Sequence, residues 1–106
     1  MAAELAWAAG FFDGEGSSSG VVKPNEHGPS VYLRINQVDR RPLERFLRAV
    51  GLGQINGPYV RKIGKPQCVW QVAGFKSDIV MALLWPSLSE PKREQYERAV
   101  LHSRSF

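Results

Sequence analysis

The stretch GFFDGEGS, residues 10–17, carries two carboxylates, Asp13 and Glu15, directly after the helix-forming run AAELAWAA. The pattern predicts a helix over 3–13 with Gly14 as the left-handed residue just past its end. A helix C-terminus carries partial negative charge and disfavours acids. Ala6, Gly10 and Gly14 recur at every fourth position on one side of that helix. A glycine inside a helix costs about 1 kcal/mol against alanine, and small residues at this spacing let two helix backbones come close. Either a second helix crosses here, or Gly10 makes room for Trp7 or a strand of its own chain. If two copies of the helix pack side by side, their carboxylates meet at the bottom of the pair and repel. A divalent cation reverses the sign of that term. Few, hard oxygen ligands suit Mg²⁺, which keeps several waters and takes the rest of its shell from phosphate. The chemistry in prospect is metal-assisted attack on a phosphodiester. Glu15, beyond Gly14, is then the metal ligand, and Asp13 hydrogen-bonds backbone near the crossing. The competing reading is a solvated turn, since Asp-Gly and Glu-Gly are common turn pairs.

The elements that must position these acids fit one domain over residues 1–106. At 43% hydrophobic and 10% aromatic, the chain has material for a real core. The single cysteine, Cys68, excludes an internal disulfide and, without a Cys or His neighbour, a zinc site. No stretch approaches a membrane span and the first residues lack a signal peptide, so the expectation is a soluble protein of the cytoplasm or an organellar matrix, with no membrane partner. The net charge of +4 raises the odds of a polyanionic partner. Nine of the 14 cations are Arg, the side chain that best forks onto phosphates and guanine edges.

GSSSGVVKP reads as a first strand and NEHG as a turn. SVYLRINQ alternates, with Val31, Leu33 and Ile35 facing one way and Tyr32, Arg34 and Asn36 the other. Asp39 caps a second helix, Leu43, Phe46, Leu47 and Val50 form its apolar stripe, and Gly51 ends it. QINGPYVRKI and QCVWQVAG read as a hairpin across Gly64–Lys65–Pro66, with Cys68, Trp70 and Val72 inward and Gln67, Val69 and Gln71 outward. A third helix, SDIVMALLW, is capped by Ser77 and stopped by Pro86. Ser89 caps the last helix, which runs to about His102 with Tyr96, Ala99 and Val100 inward. The order is α-β-β-α-β-β-α-α: an α+β fold, one four-stranded antiparallel sheet with helices on one face. The other face is polar and basic. Strand phase alone offers Tyr32, Arg34, Asn36, Arg61, Gln67 and Gln71 as contacts to a nucleic-acid groove.

LAWAAGFFDGEGS strongly resembles the motif of the LAGLIDADG homing endonucleases, and Ala9-Gly10-Phe11-Phe12-Asp13-Gly14-Glu15-Gly16 matches it nearly position for position. Ala8 stands where Leu is usual and touches no chemistry. INQVDRRPLERFLRAVGLGQI is similar to the family's strand, polar Gln, helix and Gly-x-Gly segment, and LLWPSLSEPKREQYERAV to its late helix with a Lys-x-x-Gln pattern. The match covers essentially the whole chain. The resemblance implies the family's αββαββα-type fold, whose saddle-shaped sheet lies along a long duplex DNA site. It implies two motif helices packed at the centre, each giving its second acid to divalent metals beneath the minor groove. Both strands are then cut hydrolytically, leaving short 3′ overhangs. Carried onto this chain, Glu15 is the metal ligand with the Gly14 carbonyl assisting, and Asp13 supports the helix crossing. Gln37 resembles an active-site residue that organises water, and Lys92 a basic residue of the outer pocket. Arg41 is a second candidate for that pocket. The implied cofactor is Mg²⁺, with Mn²⁺ substituting and Ca²⁺ supporting binding without cleavage.

One motif copy is present where a central metal site needs two. The expectation is therefore a homodimer through residues 3–14, with Ala6, Gly10, Asp13 and Gly14 at the interface, reading a palindromic or pseudo-palindromic site. The chain is either a minimal natural enzyme or half of a two-repeat parent. Other classes remain open: a non-cleaving transcription regulator or an intron RNA maturase on the same scaffold, or a monomeric small-molecule-binding α+β domain with a fortuitous DGEG.

Overall fold

A computed structural model of the chain describes residues 2–21 and 30–104. Helix α1 (Ala2–Glu15) leads straight into strand β1 (Gly16–Val21), followed by β2 (Ser30–Gln37), α2 (Arg40–Val50), β3 (Gln54–Tyr59), β4 (Gln67–Ala73), α3 (Phe75–Leu84), a short 3-10 turn (Trp85–Ser87) and α4 (Glu90–Ser103). The four strands form one antiparallel sheet in the order β1-β2-β4-β3. The anticipated α+β architecture is present. The NEHG turn lies outside the described residues.

Alternation along β2 and β4 sends Val31, Leu33, Ile35, Cys68, Trp70 and Val72 into a core shared with Ala8, Ala9 and Phe12 of α1 and Leu43, Phe46 and Val50 of α2. Phe46 meets Trp70 edge to face at 4.6 Å between ring centroids, and the Trp70 indole N–H donates to the Leu52 carbonyl at 3.0 Å. Helix α2 is capped as its sequence demands. The Asp39 carboxylate accepts from the Arg41 backbone N–H, and Gly51 closes the helix at φ 76° with its N–H on the Leu47 carbonyl. At Gly20 of β1 a Cβ would stand 2.1 Å from the Ala99 carbonyl oxygen, so the backbone of α4 rests directly on that strand.

Three local expectations are corrected. Gly14 is not a left-handed cap: α1 continues through it to Glu15, and with β1 starting at Gly16 there is no turn for such a residue to make. Strand β3 stops at Tyr59, well short of Ile63. Gly57, at φ 104°, and Pro58, which has no N–H to donate, break its register on β4 between Asn56 and Tyr59. Ser77 does not cap α3. Gly74 occupies the cap position, and Ser77, fully buried in the first turn, donates to the Val31 carbonyl at 2.8 Å with the Val72 carbonyl at 3.2 Å. It ties α3 to two strands. Ser77→Ala should therefore cost about 1–3 kcal/mol, the range for stranding a buried acceptor, read as a lower urea midpoint at unchanged m-value. An unchanged midpoint would show that the tie carries no stability.

Candidate active site

The two acids of the opening stretch have different surroundings. Asp13 is half-buried, and its carboxylate accepts from Ser89 twice: from the backbone N–H at 3.1 Å and from the hydroxyl at 3.0 Å. Ser89 is the N-cap residue of α4 and makes no side-chain cap of its own. An acid at the wrong end of α1 is thus at the right end of α4, where the helix dipole favours negative charge. For Asp13 the electrostatic mismatch is answered inside the chain, without a metal. Glu15, the last residue of α1, is exposed and has no hydrogen-bond or ion-pair partner among the described residues. Its mismatch stands unanswered among the described residues.

Lys92, half-buried three residues after Ser89, donates its amine to the Gly16 carbonyl, immediately beyond Glu15. The amine also lies 6.0 Å from the centroid of the Phe12 ring. Gln37 ends β2. Gly16 pairs with Ile35 across β1–β2, so Gln37 lies at the sheet end where α1 passes into β1. Glu15, Lys92 and Gln37 therefore gather at one end of the sheet. Arg41 does not join them. Its guanidinium forks onto Asp39, with Nε at 3.0 Å from Oδ1 and Nη2 at 2.7 Å from Oδ2, and its side chain is 86% exposed. The pair holds the Asp39 carboxyl down from 3.8 to about 2, first through the Arg41 side chain and then through the Arg41 backbone N–H. A depressed carboxylate stabilises the fold above its unfolded value and loses that contribution as pH falls through its folded one. Stability from Asp39 should thus fade between about pH 4 and pH 2. In Arg41→Ala the Asp39 carboxyl, followed by carbon NMR, should titrate higher while staying below 3.8, because the backbone bond remains. A value still near 2 would contradict this cause.

The small-residue side of α1 faces away from the chain. Ala6, Gly10 and Gly14 are exposed, and a Cβ built on either glycine meets nothing within 4 Å. Trp7 turns the other way. It stacks on Phe11 at 5.1 Å and lies 3.9 Å beneath the Arg45 guanidinium, which grips Glu4 with two bonds. So Gly10 makes room for nothing in its own chain.

On the sheet face away from the core, Arg34, Asn36, Gln67 and Gln71 line one groove with Tyr59 and Val69. Asn36 donates to the Gln67 amide oxygen at 3.4 Å. Arg61 lines the same groove from the loop after β3, not from a strand as its sequence suggested. Tyr32 borders the adjoining depression with Ser19, Arg34 and Gln71. None of the four strands contains an acidic residue. Register adds residues that strand phase on single segments left out. Ser17 pairs with Arg34, Arg34 and Gln54 with Gln71, and Asn36 and Asn56 with Val69, so Ser17, Gln54 and Asn56 belong to this surface.

No family model matches the sequence, and no curated protein matches it. Solved structures do. The homing endonuclease I-CvuI, in complex with the I-CreI target and Mg with the DNA not cleaved, superposes at a TM-score of 0.72 and 22% identity over 96% of this chain and 66% of that one. The LAGLIDADG homing endonuclease I-GzeII, in complex with its DNA target, gives 0.70 and 20% over 93% of this chain and 34% of that one. The homing endonuclease I-TnaI gives 0.69 and 20% over 93% and 70%. This chain has the LAGLIDADG homing endonuclease fold. It spans just under two thirds of the I-CvuI chain and about one third of I-GzeII.

Within this LAGLIDADG fold, one chain offers a metal little. Among the described residues, no three His, Cys, Asp or Glu side chains come together. At the exposed end of α1 it presents the carboxylate of Glu15, which has no hydrogen-bond or ion-pair partner among the described residues. That suits a hard cation that keeps several waters and draws its other ligands from phosphate and a second carboxylate. No helix among the described residues is long and apolar enough to cross a membrane.

Proposed function

We propose that two copies of this chain form a site-specific double-stranded DNA endonuclease, a homing endonuclease reading a long palindromic or pseudo-palindromic site. The observation that carries this is the bare face of α1 ending in the unpartnered Glu15. Helices crossing at Gly10 and Gly14 bring two such carboxylates to one place, beside two acid-free sheet faces made to lie along phosphates.

Bound divalent metal, Mg²⁺ or Mn²⁺, supplies Lewis-acid stabilisation of the attacking and leaving oxygens of an in-line hydrolysis. The chain's own residues do the rest. Glu15 of each copy would hold the metal, with the Gly14 carbonyl assisting. Gln37 orders water at the sheet end. Lys92 holds positive charge next to the scissile phosphate. Arg34, Arg61 and the amides of Asn36, Gln67 and Gln71 hold the duplex. Ca²⁺ supports the binding and not the cut.

Binding to a selected duplex in Ca²⁺, measured by anisotropy across salt, tests the partner. A surface neutralising six or more phosphates should lose about a thousandfold in affinity between 50 and 200 mM salt. Arg34→Ala and Arg61→Ala should each flatten the slope or relax the sequence preference. Tighter binding to structured intron RNA than to any duplex would point to a maturase. Weak binding lost without sequence preference would contradict the proposal.

A further inference from the structure

Helix α4 lies along β1 by one stripe. Lys92 donates to the Gly16 carbonyl, the Gln95 amide oxygen accepts from the Ser18 backbone N–H at 3.2 Å, and the Ala99 carbonyl sits where a Cβ on Gly20 would be. Residues 92, 95 and 99 follow helical spacing, and 16, 18 and 20 follow the period of two along a strand, so helix and strand meet in register. The middle and far anchors, Gln95 and Ala99, are independent of the first turn. The first turn is tied at two points among the described residues: the Asp13 carboxylate accepts from Ser89, and the Arg93 guanidinium donates twice to the Trp85 carbonyl. Asp13 supplies the tie at the cap residue itself, since Ser89 makes no side-chain cap and Pro91 has no N–H.

Lys92 is the residue most exposed to a loose first turn. A cation near a helix N-terminus is disfavoured by the dipole, and its long side chain has several rotamers to choose among. A looser first turn would free its amine to leave the Gly16 carbonyl.

We infer that Asp13 is a positioning residue: by holding Ser89 it fixes the first turn of α4, and so holds the Lys92 amine on the Gly16 carbonyl beside Glu15. This deepens the endonuclease reading and rests on it for its consequence in cleavage. The placement itself belongs to the chain alone and needs neither metal nor DNA. It also gives the motif's two acids separate tasks. Glu15 faces outward to a ligand, and Asp13 faces inward to set the basic group that accompanies it.

The test is competitive acylation of lysines in the metal-free protein, with acetic anhydride as probe and mass spectrometry as readout. Asp13→Ala should raise acylation of Lys92 about fivefold, the population change that loss of a typical N-cap produces. The exposed Lys62, Lys65 and Lys76 should not change. Asp13→Asn, which keeps one acceptor and the shape, should give a smaller rise. Adding Ser89→Asp to Asp13→Ala returns an acid to the head of α4 and should restore the protection. In Mg²⁺ with a selected duplex, Asp13→Ala should slow single-turnover cleavage without weakening binding, and the double variant should recover the rate. Unchanged Lys92 acylation in both single variants would overturn the inference. So would a rise at every lysine in both, which makes Asp13 a residue that merely holds the fold, or a Lys92 rise that Ser89→Asp fails to reverse. If wild-type protein cuts no duplex yet acylation behaves as described, the endonuclease reading fails and the positioning stands.

Discussion

Glu15→Gln should abolish DNA cleavage and leave DNA binding intact. The side chain is exposed and has no hydrogen-bond or ion-pair partner among the described residues, so its charge secures nothing in the fold. Gln keeps its size and removes the charge, which a hard cation requires. Several kcal/mol of transition-state stabilisation go with the metal, so the rate should fall by at least about a thousandfold. Thermal midpoint and affinity for a selected site in Ca²⁺ should stay near those of the parent protein. Relief of repulsion between two carboxylates at the twofold axis should, if anything, tighten the metal-free dimer. Comparable cleavage by parent and variant would remove the site assignment. A collapse of folding would show that Glu15 has a structural task that its surroundings do not reveal.

Gly10→Leu should do the opposite kind of damage. Within one chain a side chain at this position enters open space, and the helix exchanges a poor helix former for a good one. The isolated monomer should gain about 0.5–1 kcal/mol. A dimer packed across the same surface receives two isobutyl groups at its axis. Overpacking of about 1–3 kcal/mol per copy weakens the dimer by roughly thirtyfold or more. Sedimentation equilibrium gives the dimer constant, and urea melts at dilution give the monomer's stability. Cleavage should disappear with the dimer, since each copy alone would supply only Glu15 to the proposed metal site. A dimer constant equal to the parent's would mean that the chain pairs elsewhere or stays single. A less stable monomer would place Gly10 against its own chain.

What the sequence shows and what it hides divide along distance in the chain. Strands β2 and β4 and helix α2 are legible because their signals are local: alternation every second residue, an apolar stripe, Asp39 before the helix and Gly51 after it. Gly14 and Ser77 mislead for the same reason. Each has a strong local meaning, as a left-handed stop and as an N-cap, that long-range contacts override. Gly14 stays helical because β1 begins two residues on. Ser77 is drawn inside to reach Val31, 46 residues away. Strand β3 reads too long because nothing local in YVRKI marks a stop, whereas the pairing with β4 shifts register between Asn56 and Tyr59 and ends there. In the candidate site, Glu15 is named by its place at the end of the first helix as well as by resemblance, Gln37 and Lys92 by resemblance alone, and topology gathers the three. The attachment of Asp13 to Ser89 spans 76 residues, and no spacing rule reaches that far. Arg41 shows the cost of carrying over a charge without its neighbours, for Asp39, two residues away, already holds it.

One measurement tests the central claim most directly. A randomised duplex library is incubated with the protein in Ca²⁺, the bound pool is recovered, Mg²⁺ is added and new DNA ends are sequenced. A homodimer acting through paired Glu15 residues should enrich a palindromic or near-palindromic site and cut both strands at its centre, with staggered ends and none from Glu15→Gln. An enriched site without twofold symmetry, or one bound and never cut in Mg²⁺ or Mn²⁺, would contradict it.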